Sequence, residues 1–170
     1  MILDLQHIDP QRIAAIDSSG AELRYAEISQ LSKHITSLIP TRSLCFLLVE
    51  NNVGGIAWVM SMLDSRQLVP LILNVKTEDT LYQQLLHTYQ PTYICAPNHF
   101  AVQGEVVDCQ YEYTLTKISD TTPTLYGELS HLLPTSGSTG SPKLVRHKYD
   151  NIEAAGLNIS TFFELKESDR

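Results

Sequence analysis

Positive charge is scarce in this sequence. Only 12 Lys and Arg residues stand against 19 Asp and Glu residues, so the formal net charge is −7. A chain with this balance has no basic face for a phosphate backbone, which argues against nucleic-acid binding. One local cluster of basic residues stands out, formed by Lys143, Arg146, His147 and Lys148. The cluster could be a solvated strand end or could face a phosphate, and both interpretations stay open.

Cysteines and long apolar runs are also few. The three cysteines, Cys45, Cys95 and Cys109, have neither the spacing of a disulfide framework nor that of a metal site. No apolar run approaches the roughly 20 residues that cross a bilayer. No basic segment precedes an apolar one at the N-terminus, so no signal peptide is indicated. We therefore expect no membrane span, no metal ligands and a cytoplasmic location.

The composition that remains is typical of a folded domain. Hydrophobic residues make up 43% of the 170 positions and charged residues 18%, which argues against disorder. A chain of this length can bury one core. We expect residues 1–170 to form a single α/β subdomain.

The first hundred residues alternate between strand and helix patterns. The predicted elements are a helix from about Tyr25 that ends before Pro40, a strand at Ser43–Val49, a helix capped by Asn51 or Asn52 that carries Ile56, Val59, Met60 and Leu63, a strand at 68–73, a helix capped by Thr77 that ends before Pro91, and a strand at 92–95. Short connections between such elements imply right-handed crossovers. The fold class is therefore α/β, with a mostly parallel sheet flanked by helices on both faces.

The pattern changes after Glu105. Alternation around Tyr111 and Tyr113 predicts one strand with a wet face. Two further strands, at 129–133 and 144–147, flank a stretch rich in glycine and hydroxyl residues. Asp150 and Glu153 have the spacing of a capping box at the start of a final helix.

That glycine-containing stretch carries the clearest chemical signal in the chain. Its residues are Thr135, Ser136, Gly137, Ser138, Thr139, Gly140, Ser141, Pro142 and Lys143. The two glycines tolerate positive φ, so the backbone N–H groups can turn inward and form a concave site for an anion. The hydroxyl groups add rotatable donors, and the lysine adds a mobile positive charge suited to phosphate. Residues 135–143 are therefore predicted to be a phosphate-binding loop.

Two other interpretations of this stretch compete with that prediction. Gly/Ser/Thr-rich segments often serve as flexible linkers. This one is short, has apolar residues on both sides and ends in Pro142-Lys143, which favours a loop between packed elements. A Walker-type P-loop is excluded, because that motif needs Gly-Lys followed by Ser or Thr at the start of a helix. Here Leu144 and Val145 follow the lysine and favour a strand.

Thr135 to Lys143, together with Leu144 and Val145, resembles the signature loop of the AMP-forming adenylating enzymes. That superfamily includes acyl-CoA synthetases, nonribosomal-peptide adenylation domains and luciferases, and its pattern is close to TSGTTGxPKG. Weaker similarities lie at 14–17 with 23–28, at 47–51 and at 68–71. The sequence departs from the pattern at Leu144, where many members have glycine, and near Tyr149, where many have histidine.

The resemblance implies an ATP-dependent ligase that activates a carboxylic acid as acyl-AMP and releases pyrophosphate. It implies ATP and Mg²⁺ as cofactors and the thiol of CoA or of a carrier protein as the acceptor. It assigns nucleotide binding to Thr135, Ser136, Gly137, Ser138, Thr139, Gly140 and Lys143, and it assigns no catalytic residue to this chain.

The resemblance also bears on the extent of the chain. Members of the superfamily are several times longer, so we expect an N-terminal fragment, inactive by itself, that forms the N-terminal subdomain of an adenylate-forming enzyme. The alternative is a naturally short, non-catalytic interaction module that retains the fold. Neither the acyl substrate nor the oligomeric state follows from the sequence.

Overall fold

The structure is a computed structural model that describes residues 7–135 and 143–166. Its elements, in chain order, are β1 (Ile13–Ile16), β2 (Glu22–Arg24), α1 (Tyr25–Leu38), β3 (Ser43–Val49), α2 (Val53–Ser65), β4 (Leu68–Asn74), α3 (Asp79–Tyr89), β5 (Tyr93–Pro97), β6 (Glu105–Gln110), β7 (Tyr113–Lys117), β8 (Leu129–Pro134), β9 (Leu144–Lys148) and α4 (Tyr149–Phe162). Within the described ranges, no helix is both long enough and apolar enough to cross a membrane.

Seven of the strands form one sheet in the order β6-β7-β5-β3-β4-β8-β9. The four central strands, β5, β3, β4 and β8, run parallel to one another. Strands β7 and β9 are antiparallel to their inner neighbours, and β6 pairs with β7 in a hairpin. Strands β1 and β2 form a separate antiparallel pair. The predicted α/β class with a mostly parallel sheet is confirmed.

Helices cover both faces of this sheet, as alternation along β3 shows. Cys45 and Leu47 pack into one buried cluster with residues of α1 and α2, whereas Leu44 and Phe46 pack into a second cluster with α3. Successive side chains of a strand point to opposite faces, so a continuous apolar run such as β3 is buried on both sides. The sheet therefore has a hydrophobic core on each face.

Helix α2 is oriented by polar as well as apolar contacts. Its buried side includes Gly54, Ala57, Trp58, Ser61 and Met62. The Trp58 indole N–H donates to the carbonyl of Gln110, and the Ser61 hydroxyl donates to the carbonyl of Ile28, each at 3.1 Å. Of the apolar residues that were predicted to lie on this helix, Leu63 is buried and Ile56 is 40% exposed. The spacing of apolar residues gives no sign that Gly54 and Ser61 are buried.

The prediction that Thr77 caps α3 is wrong. The Thr77 hydroxyl donates to the carbonyl of Asn74 at 2.6 Å, and the Thr77 N–H donates to the same carbonyl at 2.9 Å. Both groups are engaged by the turn that precedes the helix. Helix α3 therefore begins later, at Asp79, with Glu78 in the capping position.

A two-residue turn at Tyr111 and Glu112 divides the predicted single strand into β6 and β7. These residues have φ of 53° and 62°, the left-handed conformation that type I′ hairpin turns require at both central positions. Glycine, asparagine and aspartate usually mark such turns, and this sequence has none of them there. The alternating pattern therefore gave no sign of the reversal.

Helix α4 starts at Tyr149, with Lys148 at its N-cap position and no side-chain cap. Asp150 lies in the first turn, where its charge suits the helix dipole, rather than at the cap. The prediction that Asp150 is the N-cap is therefore wrong, because β9 pairs through Lys148 and the helix begins directly after it. Asn52, by contrast, caps α2 as predicted, because its side-chain oxygen accepts from the Gly55 N–H at 2.8 Å.

Gly54 generates a prediction about stability. A Cβ atom at this position would lie 2.3 Å from the carbonyl oxygen of Tyr111 and 2.9 Å from the Tyr113 ring. Neither the backbone turn nor the buried ring can move freely, so Gly54→Ala should lower the free energy of unfolding by about 1–3 kcal/mol. Chemical denaturation of the purified chain measures this change.

Gly156→Ala is the matched control. A Cβ there meets nothing within 4 Å, and alanine is a better helix former than glycine by roughly 0.5–1 kcal/mol. The control should therefore be neutral or stabilising. Equal effects of the two substitutions would contradict the close packing of α2 against the β6–β7 turn.

Candidate functional site

The parallel strands bring their carboxyl ends to one edge of the sheet. The chain leaves β3 at Glu50, β5 at Asn98 and β8 at Thr135, all at this edge. In open α/β sheets, ligands bind in crevices outside the carboxyl ends of the strands. The predicted phosphate-binding loop therefore begins where this architecture places ligand sites.

The two ends of the loop are held together. The N–H and the hydroxyl of Thr135 both donate to the carbonyl of Lys143, at 2.9 and 3.1 Å. Just outside them, Pro134 pairs with Leu144 in the antiparallel ladder of β8 and β9. The stretch thus connects two hydrogen-bonded strands, so it is not a linker between separate units.

Of the seven residues predicted to bind nucleotide, the structure brings Thr135 and Lys143 together at the base of the loop. Lys143 is exposed, so its ammonium group is accessible to an anion. Ser136, Gly137, Ser138, Thr139 and Gly140 lie outside the described residues. Their assignment remains a prediction from the sequence.

The basic cluster of Lys143, Arg146, His147 and Lys148 does not form one surface. Along β9, Arg146 and Lys148 share one face of the sheet and His147 lies on the other. The Lys148 ammonium lies 5.5 Å from the centroid of the Tyr126 ring. Lys148 is five residues after Lys143, which corresponds to about 17 Å of extended chain. Lys143 is therefore the member of the cluster that belongs to the loop.

A pair of histidines joins β8 and β9 close to the loop. His131 and His147 are cross-strand partners, and their rings stack with centroids 4.4 Å apart and planes 1° from parallel. Burial, and then the neighbouring His147, lower the pKa of His131 to about 4. His131 is therefore neutral at pH 7 and supplies no positive charge to the loop.

A cleft of about 230 Å³ opens at the same edge of the sheet, outside the ends of β3 and β5. Its lining residues are Glu50, Asn52, Pro97, Asn98, His99 and Glu112. Glu50 lies 3.5 Å from His99 Nε2 and accepts a 3.3 Å hydrogen bond from the Asn52 amide. Carboxylate, imidazole and carboxamide groups together suit a polar, hydrogen-bonding ligand.

The position of this cleft follows from the chain path. The chain leaves β3 through α2 toward β4 on one side, then returns through α3 to β5 on the other side of β3. Ligand crevices occur where crossovers diverge in this way. Asn52 was predicted only as a helix cap, and the cleft was not predicted. The available signal was the polar residues that follow each buried strand, Glu50 after β3 and Asn98 with His99 after β5.

Searches with the sequence gave no match to a protein-family model or to a curated protein. Structural comparison did give matches. o-Succinylbenzoate CoA synthetase (MenE) from Bacillus subtilis, solved with the acyl-adenylate intermediate OSB-AMP, matches with a TM-score of 0.74 and 19% identity over 99% of this chain. Another structure of that enzyme, in complex with ATP and magnesium ion, matches with a TM-score of 0.72 and 17% identity over 99% of this chain.

Two other enzymes have the same arrangement. MatB from Rhodopseudomonas palustris matches with a TM-score of 0.71 and 14% identity over 97% of this chain. The N-terminal subdomain of Klebsiella oxytoca NpsA matches with a TM-score of 0.64 and 17% identity over 90% of this chain. This is the fold of the N-terminal subdomain of adenylate-forming enzymes. The chain spans 47% and 48% of the two MenE chains, 37% of the MatB chain and 42% of the NpsA chain.

The stacked histidines generate a pH prediction. The pKa of His131 is lowered in the folded chain from 6.5 to about 4, so between these values the unfolded chain binds a proton that the folded chain does not. This contribution to stability is complete above pH 6.5 and is lost as the pH falls toward 4. His131→Phe keeps a stacking ring without a titratable nitrogen, so its free energy of unfolding should fall less than that of the wild type between pH 7 and pH 4.5.

Denaturation curves of the two proteins at each pH provide the comparison, and the carboxylates common to both cancel in the difference. NMR should also show that the His131 ring titrates with a midpoint near 4. Parallel stability profiles, or a His131 midpoint near 6.5, would contradict the buried and stacked position of this ring.

Proposed function

We propose that this chain is the phosphate-binding N-terminal part of an ATP-dependent ligase that joins a carboxylic acid to a thiol. The observation that supports this most directly is the closed base of the loop, where both donors of Thr135 bind the Lys143 carbonyl at the carboxyl edge of the parallel sheet. The fold and the loop sequence support the proposal independently of each other.

In this proposal the loop binds the β- and γ-phosphates of ATP. The hydroxyl groups of Ser136, Ser138 and Thr139 and the neighbouring backbone N–H groups would donate to phosphate oxygens. Lys143 would neutralise negative charge. As the carboxylate attacks the α-phosphate, charge accumulates on the departing pyrophosphate, and donors already in place stabilise that charge without reorganising.

In this proposal ATP brings its Mg²⁺ to the loop. Among residues 7–135 and 143–166, no three His, Cys, Asp or Glu side chains are arranged to hold a metal ion. Mg²⁺ prefers carboxylate and phosphate oxygens and keeps several waters. When bound, Mg²⁺ would share with Lys143 the neutralisation of the triphosphate.

The substrate and acceptor belong to the proposal for the whole enzyme. We propose that it forms an acyl-adenylate, the kind of intermediate that MenE holds in its complex with OSB-AMP, and passes the acyl group to CoA or to a carrier-protein thiol. The chain alone should not turn over substrate. A purified sample that exchanges pyrophosphate into ATP would refute this expectation. The proposed location is the cytoplasm.

A non-catalytic interaction module is the second candidate function. The observation that favours it is the exposed apolar side of α4 and the residues after it, where Leu157, Phe162 and Phe163 are 67%, 78% and 66% exposed. Surfaces of this kind often contact another polypeptide. Such a module would fold normally but would have no affinity for MgATP, so nucleotide binding distinguishes the two functions.

Lys143 provides the test of nucleotide binding. Hydrogen bonds to charged groups contribute about 1.5–3 kcal/mol, and 1.4 kcal/mol is a factor of ten in affinity. Lys143→Ala should therefore weaken the binding of MgATP by about tenfold or more, as measured by titration calorimetry. Lys33→Ala, which removes an exposed lysine from α1, is the control and should bind as the wild type does.

Substitution of both Ser138 and Thr139 by alanine should weaken binding further, because two donors are lost. A folded wild-type chain that does not bind MgATP, or a Lys143→Ala variant with unchanged affinity, would reject the proposed role of the loop.

A further inference from the structure

Arg42 precedes β3 at the amino edge of the sheet, opposite the loop, and its guanidinium group binds three backbone carbonyls. Nε donates to the carbonyl of Arg66 at 3.0 Å, Nη1 donates to that of Tyr126 at 2.9 Å, and Nη2 donates to that of Leu129. These acceptors belong to the C-terminal cap of α2, to the segment before β8 and to the first residue of β8. A rigid fork of five donors can bind three fixed carbonyls, whereas a single ammonium group cannot reach all of them.

The first residues of β8 take part in few regular ladder pairs with β4. Strands β3 and β4 pair in register along their whole length, from Ser43 to Val49. The register between β4 and β8, in contrast, is given by one pair, Leu71 with Leu132. The ladder between β8 and β9 is irregular between Leu129 and His131. Contacts outside the ladder, together with the buried side chains of β8, therefore contribute to the register of this strand.

A second arginine, Arg66, contacts the residue at the end of β9. The Arg66 guanidinium lies 4.2 Å from the ring centroid of Tyr149, the residue directly after β9, and this ring is almost fully buried. The Tyr149 N–H donates to the carbonyl of Glu128 at 3.2 Å. The ends of β8 and β9 farthest from the loop are therefore attached to the core at one place.

We propose that Arg42 is a positioning residue that sets the register of the β8–β9 hairpin, and thereby the location of Thr135 and Lys143 at its other end. The effect on register is argued from geometry, and the effect on nucleotide binding rests on the proposed function. Strand β8 is about 20 Å long, so Arg42 acts through the strand and contacts no ligand. A slip of one residue would move Thr135 by about 3.3 Å and turn its side chain to the opposite face.

The test combines amide hydrogen exchange with titration of MgATP, using the purified chain and the variants Arg42→Ala and Arg42→Lys. Ser61→Ala is the matched control, because it removes the buried hydrogen bond to Ile28 without touching β8. Both Arg42 variants should lose amide protection selectively in 129–134 and 144–148, while β3 and β4 keep theirs. The affinity for MgATP should fall at least tenfold in Arg42→Ala.

Two further readouts separate positioning from general stabilisation. An alkylguanidinium ion added to Arg42→Ala should restore protection of β8 and affinity for MgATP, and it should do neither for Ser61→Ala. Arg42→Lys should keep only part of the amide protection and affinity, because lysine supplies the positive charge without the several donors of a guanidinium group. If Arg42→Ala does not fold, the Arg42→Lys data decide by the same criteria.

Uniform loss of protection in all strands, protection equal to that of the wild type, or unchanged affinity despite a loosened β8 would overturn the proposal. A wild-type chain that does not bind MgATP would reject the proposed function instead, and the exchange data would still decide whether Arg42 sets the register.

Discussion

Parallel pairing of the four central strands is the constraint on which the rest of the structure depends. Because β3, β4, β5 and β8 run in the same direction, the polar residues that follow these strands lie at the same edge of the sheet. The cleft and the base of the loop both lie at this edge. The opposite edge carries the starts of the same strands, where Arg42 binds three carbonyls. The sheet thus separates the residues that support the hairpin from those available to a ligand.

The elements that could be predicted were those encoded locally. The apolar run of β3 was predicted at the residues where it occurs, because a strand buried on both faces leaves an uninterrupted hydrophobic segment. Helix α1 was predicted for a similar reason, since Ile28, Leu31 and Ile35 repeat at helical spacing and are all buried. At the loop, the glycines and hydroxyl residues indicated chemistry directly, and the structure adds the closure between Thr135 and Lys143.

Features that depend on distant contacts could not be predicted. The turn at Tyr111 and Glu112 adopts positive φ without glycine or asparagine. Its position follows from packing, because the Tyr111 carbonyl lies over Gly54 and the Tyr113 hydroxyl accepts from the Glu50 N–H at 3.0 Å. The contacts of Arg42 likewise join residues 24 to 87 positions apart, and the cleft brings Glu50 next to His99. No local pattern records such pairs, whereas each is evident once the strand order is known.

The central claim is that residues 135–143 bind the triphosphate of a nucleotide. NMR mapping of backbone amides during titration of the chain with magnesium tripolyphosphate tests it most directly, because this probe has no adenine or ribose to bind elsewhere. The largest changes in amide chemical shift should occur between Thr135 and Lys143, with smaller changes in the adjoining ends of β8 and β9. Shifts confined to the cleft around Asn98 and His99, or no shifts in a folded chain, would contradict it.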